Sequence, residues 1–198
     1  MADKDTYSSF GDLALSETEG ADFIITCLHG ARDDILILAP HGGKIEPGTS
    51  ELARAVAGSD YALYLFEGTK PKGNRALHVT STNFDEPRAM AMVRAATHAV
   101  GIHGLAAENE EIEVGGLDDA LRDLVNASLL EAGFLSRIVT SGPYAARDPA
   151  NICNRARSGG VQLEIGRVLR DKIRADTAVR TAAAEAVRRV LESIVPRP

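Results

Sequence analysis

The apolar run Ile35-Leu-Ile-Leu-Ala39, entered from Asp33-Asp34, has no polar interruption and predicts a strand buried on both faces, hence a central one. Ala21–Leu28, rich in β-branched residues, predicts a strand before it, and Tyr61–Phe66 another after it. Between these two, Ser50–Ala57 opens on hydroxyl residues and ends at Gly58, the signature of a short helix. The alternation continues with a short strand at Leu77–Thr80, a helix over Arg88–His98 starting near Pro87, and an apolar strand over Thr97–Ile102. Glu108–Gly116 is acidic and glycine-containing, and is expected to be a loop. Leu117–Ala132 has helical spacing and stops at Gly133, Val161–Ile165 alternates as a strand, and an Ala- and Arg-rich helix is expected over Ala175–Ile194.

Strands alternating with helices predict an α/β fold, an open mixed or mostly parallel sheet with helices on both faces. In such sheets ligands gather beyond the carboxyl ends of the strands. His41 and His103 each follow an apolar run, so parallel neighbouring strands would bring both imidazoles to one edge.

Composition narrows the class. With 198 residues, 44% of them hydrophobic, one domain over residues 1–198 is expected. A net charge of −6 excludes a broad electrostatic footprint for nucleic acid, and an anionic substrate would have to be held by local Arg or Lys. No segment has the apolar length of a membrane span, and the first residues lack a basic stretch leading into an apolar one, which predicts a cytoplasmic protein released, if at all, by lysis. Cys27 and Cys153 are too few for a disulfide framework.

His41-Gly-Gly-Lys-Ile-Glu46 carries the most specific chemistry. Two glycines give the loop freedom to turn the carboxylate back toward the imidazole, and His103-Gly104 offers a second imidazole. Two histidines and one carboxylate form the ligand set of a catalytic zinc site that keeps a position for water. The alternatives are a strand-end histidine satisfied by carbonyls and a Glu favoured by a helix N-terminus. His29, at the end of the first strand, and His98, which falls in a helical pattern, are not expected to bind metal. Along Val161–Ile165, Glu164 and Gln162 share one face and the apolar residues the other. A carboxylate on a half-buried face requires a partner, either an arginine or the water of a metal site, and we favour Glu164 as general base. Asn151-Ile-Cys-Asn154-Arg155 and Asn74-Arg75, the latter just before His78, have the geometry to grip carboxylates, although surface solvation is the ordinary fate of such an arginine.

Several motifs in order carry a family likeness: Tyr7-Ser-Ser-Phe10, Ala39-Pro-His-Gly-Gly43, Ile45–Glu51, Leu63–Gly68, Leu77–Pro87, Ile102-His-Gly104, Val114–Asp118, Asn151–Arg155 and Val161–Glu164. On these the chain resembles the poly-γ-glutamate hydrolases, phage-type zinc peptidases related in fold to the zinc carboxypeptidases. The resemblance implies an open α/β/α sandwich, one Zn2+ ion held by His41, Glu46 and His103, and Glu164 as catalytic carboxylate. It implies hydrolysis of γ-glutamyl amide bonds in poly-γ-glutamate, with Arg75, His78, Asn151, Asn154 and Arg155 binding substrate. Nucleic acid and membrane are not expected partners, and a monomer is favoured. The chain departs from the carboxypeptidases in its His-x4-Glu spacing, two residues longer than their His-x2-Glu. A zinc amidohydrolase acting on a small N-acylated or γ-linked glutamate, and a non-catalytic module that binds anionic polymer, are the competing readings. The helix after Asp171 lies outside the motifs and is expected to serve packing.

Overall fold

The structure, a computed structural model, describes residues 5–194. The outermost four residues at each end of the expected 1–198 domain lie outside that range. A seven-stranded sheet runs in the order β1-β3-β2-β4-β7-β5-β6. Its strands are β1 Phe23–Leu28, β2 Arg32–Gly43, β3 Tyr61–Gly68, β4 His98–Gly104, β5 Ile112–Gly116, β6 Ser136–Ile138 and β7 Gly160–Ile165. β3, β2, β4 and β7 are mutually parallel, whereas β1 runs antiparallel to β3 and β5 antiparallel to β7. The helices are α1 Phe10–Leu13, α2 Thr49–Ala57, α3 Pro87–Ala95, α4 Asp119–Glu131, α5 Arg167–Ala175 and α6 Thr177–Ile194. This is the expected α/β class with a mixed sheet. Among the described residues no helix is long and apolar enough to cross a membrane.

Side-chain alternation explains the layers. On one face Ile35, Ile37, Val100, Ile102, Val161, Leu163 and Ile165 are buried under α2, α4, α5 and α6. On the other, Leu36, Leu38, Tyr64, Phe66 and Ala99 meet α3, two 3-10 turns and the aromatic group of Phe10, Phe23 and Phe84. That second cover is short, so the face lies open toward the carboxyl ends of β2, β4 and β7. His103 and Glu164 project there because Ile102, Leu163 and Ile165 take the helix-covered side.

Several local expectations are corrected. β2 and β4 extend past their apolar runs, so His41 and His103 lie within strands rather than beyond them. Leu77–Thr80 is no strand: a 3-10 turn spans Asn74–Leu77, and irregular chain follows because Thr80 is tied to Asp5 through its N–H (2.6 Å). α3 ends at Ala95, and His98 instead opens β4, with its Nδ1 3.0 Å from Asp118. The acidic stretch holds a strand, β5, because the far edge of β7 is free to pair. The hydroxyl at the start of α2 does not cap it; Gly48 is the cap, and Thr49 donates instead to the Glu46 carbonyl at 2.8 Å. The closing helix begins at Thr177, and α5 precedes it as a separate element.

Candidate active site

The six-residue loop from His41 to Glu46 closes on itself. The Glu46 N–H donates to the His41 carbonyl at 2.9 Å and Ile45 to Gly42 at 3.2 Å. Gly43 turns the chain at φ +61°, where a side chain would also meet the Gly68 carbonyl at 2.7 Å. The result sets His41 Nδ1 3.4 Å from Glu46 Oε2. The two additional residues relative to His-x2-Glu are thus taken up in the turn, and the carboxylate still reaches the imidazole.

His41 is buried, and its Nε2 lies 2.8 Å from the Val79 carbonyl. A carbonyl only accepts, so Nε2 carries the proton and the Nδ1 lone pair faces the cavity. His103 Nδ1 lies 3.1 Å from that atom, and its Nε2 is buried without a hydrogen-bond partner. Glu46 Oε2 accepts from the Gly104 N–H at 2.8 Å. The His41 Nδ1 lone pair therefore has His103 Nδ1 and Glu46 Oε2 within 3.4 Å of it, a donor set that suits a divalent cation. Two Zn–N bonds of about 2.0 Å at a tetrahedral angle span about 3.3 Å, close to the observed nitrogen separation. Burial lowers His103 to about 3, so its imidazole is neutral and competent as a ligand at neutral pH. Glu46 is held below its ordinary range: burial opposes this, but its contact with His41 outweighs it.

His78 is also drawn into the cluster. Its ring stacks on His41 at 3.9 Å, its Nε2 is 3.7 Å from Glu46 Oε1, and His41, Glu46 and His78 offer donor atoms within 4.8 Å of one another. Its Nδ1 is engaged by Asp5 at 2.6 Å. Burial lowers His78 to about 4, which leaves it neutral. A fourth donor in the cluster was not expected from the sequence, and neither was Asp5, which lies 73 residues away along the chain.

Glu164 sits beside His103 in the register of β4 and β7. Its Oε1 accepts from Gln162 at 2.8 Å, and Gln162 in turn accepts from Asn151 at 2.8 Å. This relay fixes the carboxyl plane. Burial, reinforced by the charges of Glu46 and Glu113, raises its pKa well above the ordinary range, against a smaller opposing pull from Arg170.

These groups line one cavity of about 1160 Å³, together with Arg75, Arg147, Arg167 and Arg174. Arg147 pairs with Asp119, Arg167 with Glu108 and Arg174 with Glu51, whereas Arg75 has no carboxylate partner among the described residues. The remaining sequence candidates part company here. Asn151 lines the cavity, but its amide is committed to Gln162 and to Cys153 N–H. Asn154 is buried away from it and bonds the backbone of Ala146, Asp148 and Leu117, and Arg155 Nε is turned to the Ala150 carbonyl. Both satisfy backbone carbonyls of the irregular stretch that leads into Asn151, those of Ala146, Asp148 and Ala150.

Comparison with known proteins agrees with this architecture. The chain is 41% identical over 165 residues to the UPF0714 protein YndL of Bacillus subtilis (strain 168), covering 82% of this chain and 64% of that protein, so it spans less than two thirds of that relative's length. A solved structure of a bacteriophage poly-gamma-glutamate hydrolase superposes with a TM-score of 0.88 at 35% identity, covering 96% of this chain and 98% of the other. A zinc-free apo form of YndL superposes with a TM-score of 0.90 at 34% identity, covering 98% of this chain and 100% of the other. The family model for poly-gamma-glutamate hydrolase matches residues 7–195, nearly the whole chain, and the protein therefore belongs to the poly-gamma-glutamate hydrolase family.

Proposed function

We propose that the protein is a zinc-dependent hydrolase of γ-glutamyl amide bonds in poly-γ-glutamate. The observation that carries this reading is the placement of Glu46 Oε2 and His103 Nδ1 within 3.4 Å of His41 Nδ1, on the wall of the cavity that also contains Glu164. His41, Glu46 and His103 are the proposed holders of one zinc ion. The zinc-free form of a relative supports the choice of metal. When bound, the ion supplies Lewis-acid polarisation of the scissile carbonyl and acidifies water.

Glu164 takes the proton of the attacking water and returns it to the leaving α-amine. A carboxyl with raised proton affinity suits both halves of that transfer, since it holds the proton between them. Gln162 and Asn151 keep its orientation, so Asn151 acts through Glu164 rather than on the substrate. Arg75, lacking a carboxylate of its own, pairs with an α-carboxylate of the polymer, which is free because the chain runs through the γ-carboxyl. His78 stands beside the metal set, where Asp5 fixes its ring. Pockets for single small ligands run from about 300 to 1,000 Å³. A cavity of about 1160 Å³ exceeds that range and favours a multi-residue substrate over a single acylated glutamate.

Metal analysis of the purified protein, followed by incubation with poly-γ-glutamate, tests the reading. Zinc at one equivalent and shortening of the polymer, with one new amine per cleavage, are expected. A full zinc complement with an intact polymer overturns the substrate assignment, and turnover of N-formylglutamate or a γ-linked dipeptide in its place favours the small-substrate amidohydrolase. Arg75→Met is expected to raise KM for the polymer about 10-fold with kcat nearly unchanged, the pattern of a lost charge-assisted contact made equally in ground and transition states. A fall in kcat at constant KM would instead put Arg75 at the reacting bond.

A further inference from the structure

We infer that Arg170, on α5, is the positioning residue that sets the spacing of the metal ligands and the catalytic carboxylate. It rests on the assignment of His41, Glu46 and His103 as the metal set. Arg170 is 5% exposed, and its guanidinium donates to three carbonyls: Ile165 at 3.0 Å from Nε, Pro47 at 2.8 Å from Nη1 and Leu105 at 2.9 Å from Nη2. Ile165 follows Glu164, Pro47 follows Glu46, and Leu105 lies two residues beyond His103. One planar group therefore ties together the three segments, from different parts of the chain, that carry the proposed chemistry.

The chain is shaped around this group. A Cβ on Gly104 would lie 2.6 Å from Arg170 Cζ, and one on Gly48 2.9 Å from Arg170 Cβ. Gly104 also gives its N–H to Glu46 at 2.8 Å, so the same short stretch is tied to Glu46 on one side and, through Leu105, to Arg170 on the other. The guanidinium makes no hydrogen bond to a carboxylate among the described residues. A buried cation whose hydrogen bonds all go to carbonyls, with Glu46 and Glu164 acting on it only through charge, is a costly way to stabilise a core, which apolar side chains of similar volume do as well or better. What the guanidinium offers instead is direction: its N–H groups leave a rigid plane at fixed angles, whereas a lysine ammonium is a rotating point donor.

The test compares zinc affinity, the visible spectrum of the Co2+-substituted protein and melting of the metal-free protein in wild type, Arg170→Lys, Arg170→Gln and His103→Ala. A positioning role predicts folded, cooperatively melting Lys and Gln variants whose zinc affinity falls about 10–100-fold, the range for an outer partner of a metal ligand. It also predicts an altered Co2+ band and, in the zinc-loaded enzymes, a lower kcat with KM for poly-γ-glutamate little changed. A folded Lys variant with wild-type zinc affinity and Co2+ band overturns the proposal, as does a rise in KM alone, which would make Arg170 a substrate contact. Failure of both variants to fold overturns it too, since Arg170 is then part of the scaffold. His103→Ala separates the two levels: wild-type zinc affinity in that variant means that the ligand assignment fails, whatever Arg170 does.

Discussion

Glu164→Gln is expected to lower kcat about 10³-fold, within the range for loss of a general acid–base, while the protein still binds a full equivalent of zinc. The substitution is close to isosteric, and the new amide oxygen can accept the same 2.8 Å bond from Gln162, so the relay from Asn151 stays intact. What is lost is the capacity to hold a proton between water and leaving amine. Stability separates this outcome from simple damage. Because burial raises the pKa of Glu164 above the ordinary 4.5, folding favours its protonated form. Its contribution is fully present below the unfolded-state value and is lost as pH rises toward the folded one. The metal-free Gln variant escapes that loss and should melt no lower than wild type at pH 7. Single-turnover rates, zinc content and melting curves check these expectations together. A variant that turns over normally would remove Glu164 from the mechanism, and one that loses zinc would make it a ligand.

His103→Ala is expected to lose zinc and all measurable hydrolysis, whereas His78→Ala keeps its zinc equivalent and loses only part of the rate. The two residues compete for one role, since His78 and His103 both adjoin His41 and Glu46. Two observations favour His103 as ligand: its Nδ1 meets the free lone pair of His41 at 3.1 Å, and its Nε2 has no partner, whereas His78 spends its Nδ1 on Asp5 and stacks its ring on that of His41. Loss of a direct ligand should weaken zinc by more than the 10–100-fold of an outer partner. Melting provides a second measure: zinc at about 100 times Kd adds about 2.7 kcal/mol to a folded state that binds it. Added zinc should therefore raise the Tm of wild type and of His78→Ala, but not of His103→Ala. The reverse pattern would move the metal to His41, Glu46 and His78.

The helices and strands that were legible are those whose pattern is local. Ile35–Ala39 is apolar throughout because β2 lies between β3 and β4 with both faces covered, and Val161–Ile165 alternates because one face of β7 meets the site. The misread segments answer to distant partners. Leu77–Thr80 has strand-like residues, but Asp5 takes the Thr80 N–H that a ladder would need. The acidic stretch before Gly116 forms β5 because β7 presents it an open edge, which no local pattern announces. Asn154 and Arg155 had the right chemistry for a carboxylate clamp, yet Asn154 bonds the backbone of Ala146, Asp148 and Leu117, Arg155 Nε meets the Ala150 carbonyl, and the cavity is lined by other residues. Gln162 stood in plain view, two residues before Glu164 on the same face, and alternation alone could have marked it as the support of that carboxyl.

By itself the sequence determined the α/β class, the residue types of the candidate metal set and the face on which Glu164 stands, because hydrophobic period and motif order are properties of contiguous residues. Only the tertiary structure decided how the His41 loop closes on Glu46, that His78 joins the cluster through Asp5, and that Arg170 binds the chain just after Glu46, His103 and Glu164. The physical reason is that a hydrogen bond depends on direction and on distances of about 3 Å. Residues 123 positions apart in the chain, such as Pro47 and Arg170, acquire such a distance only when the sheet has brought their elements together.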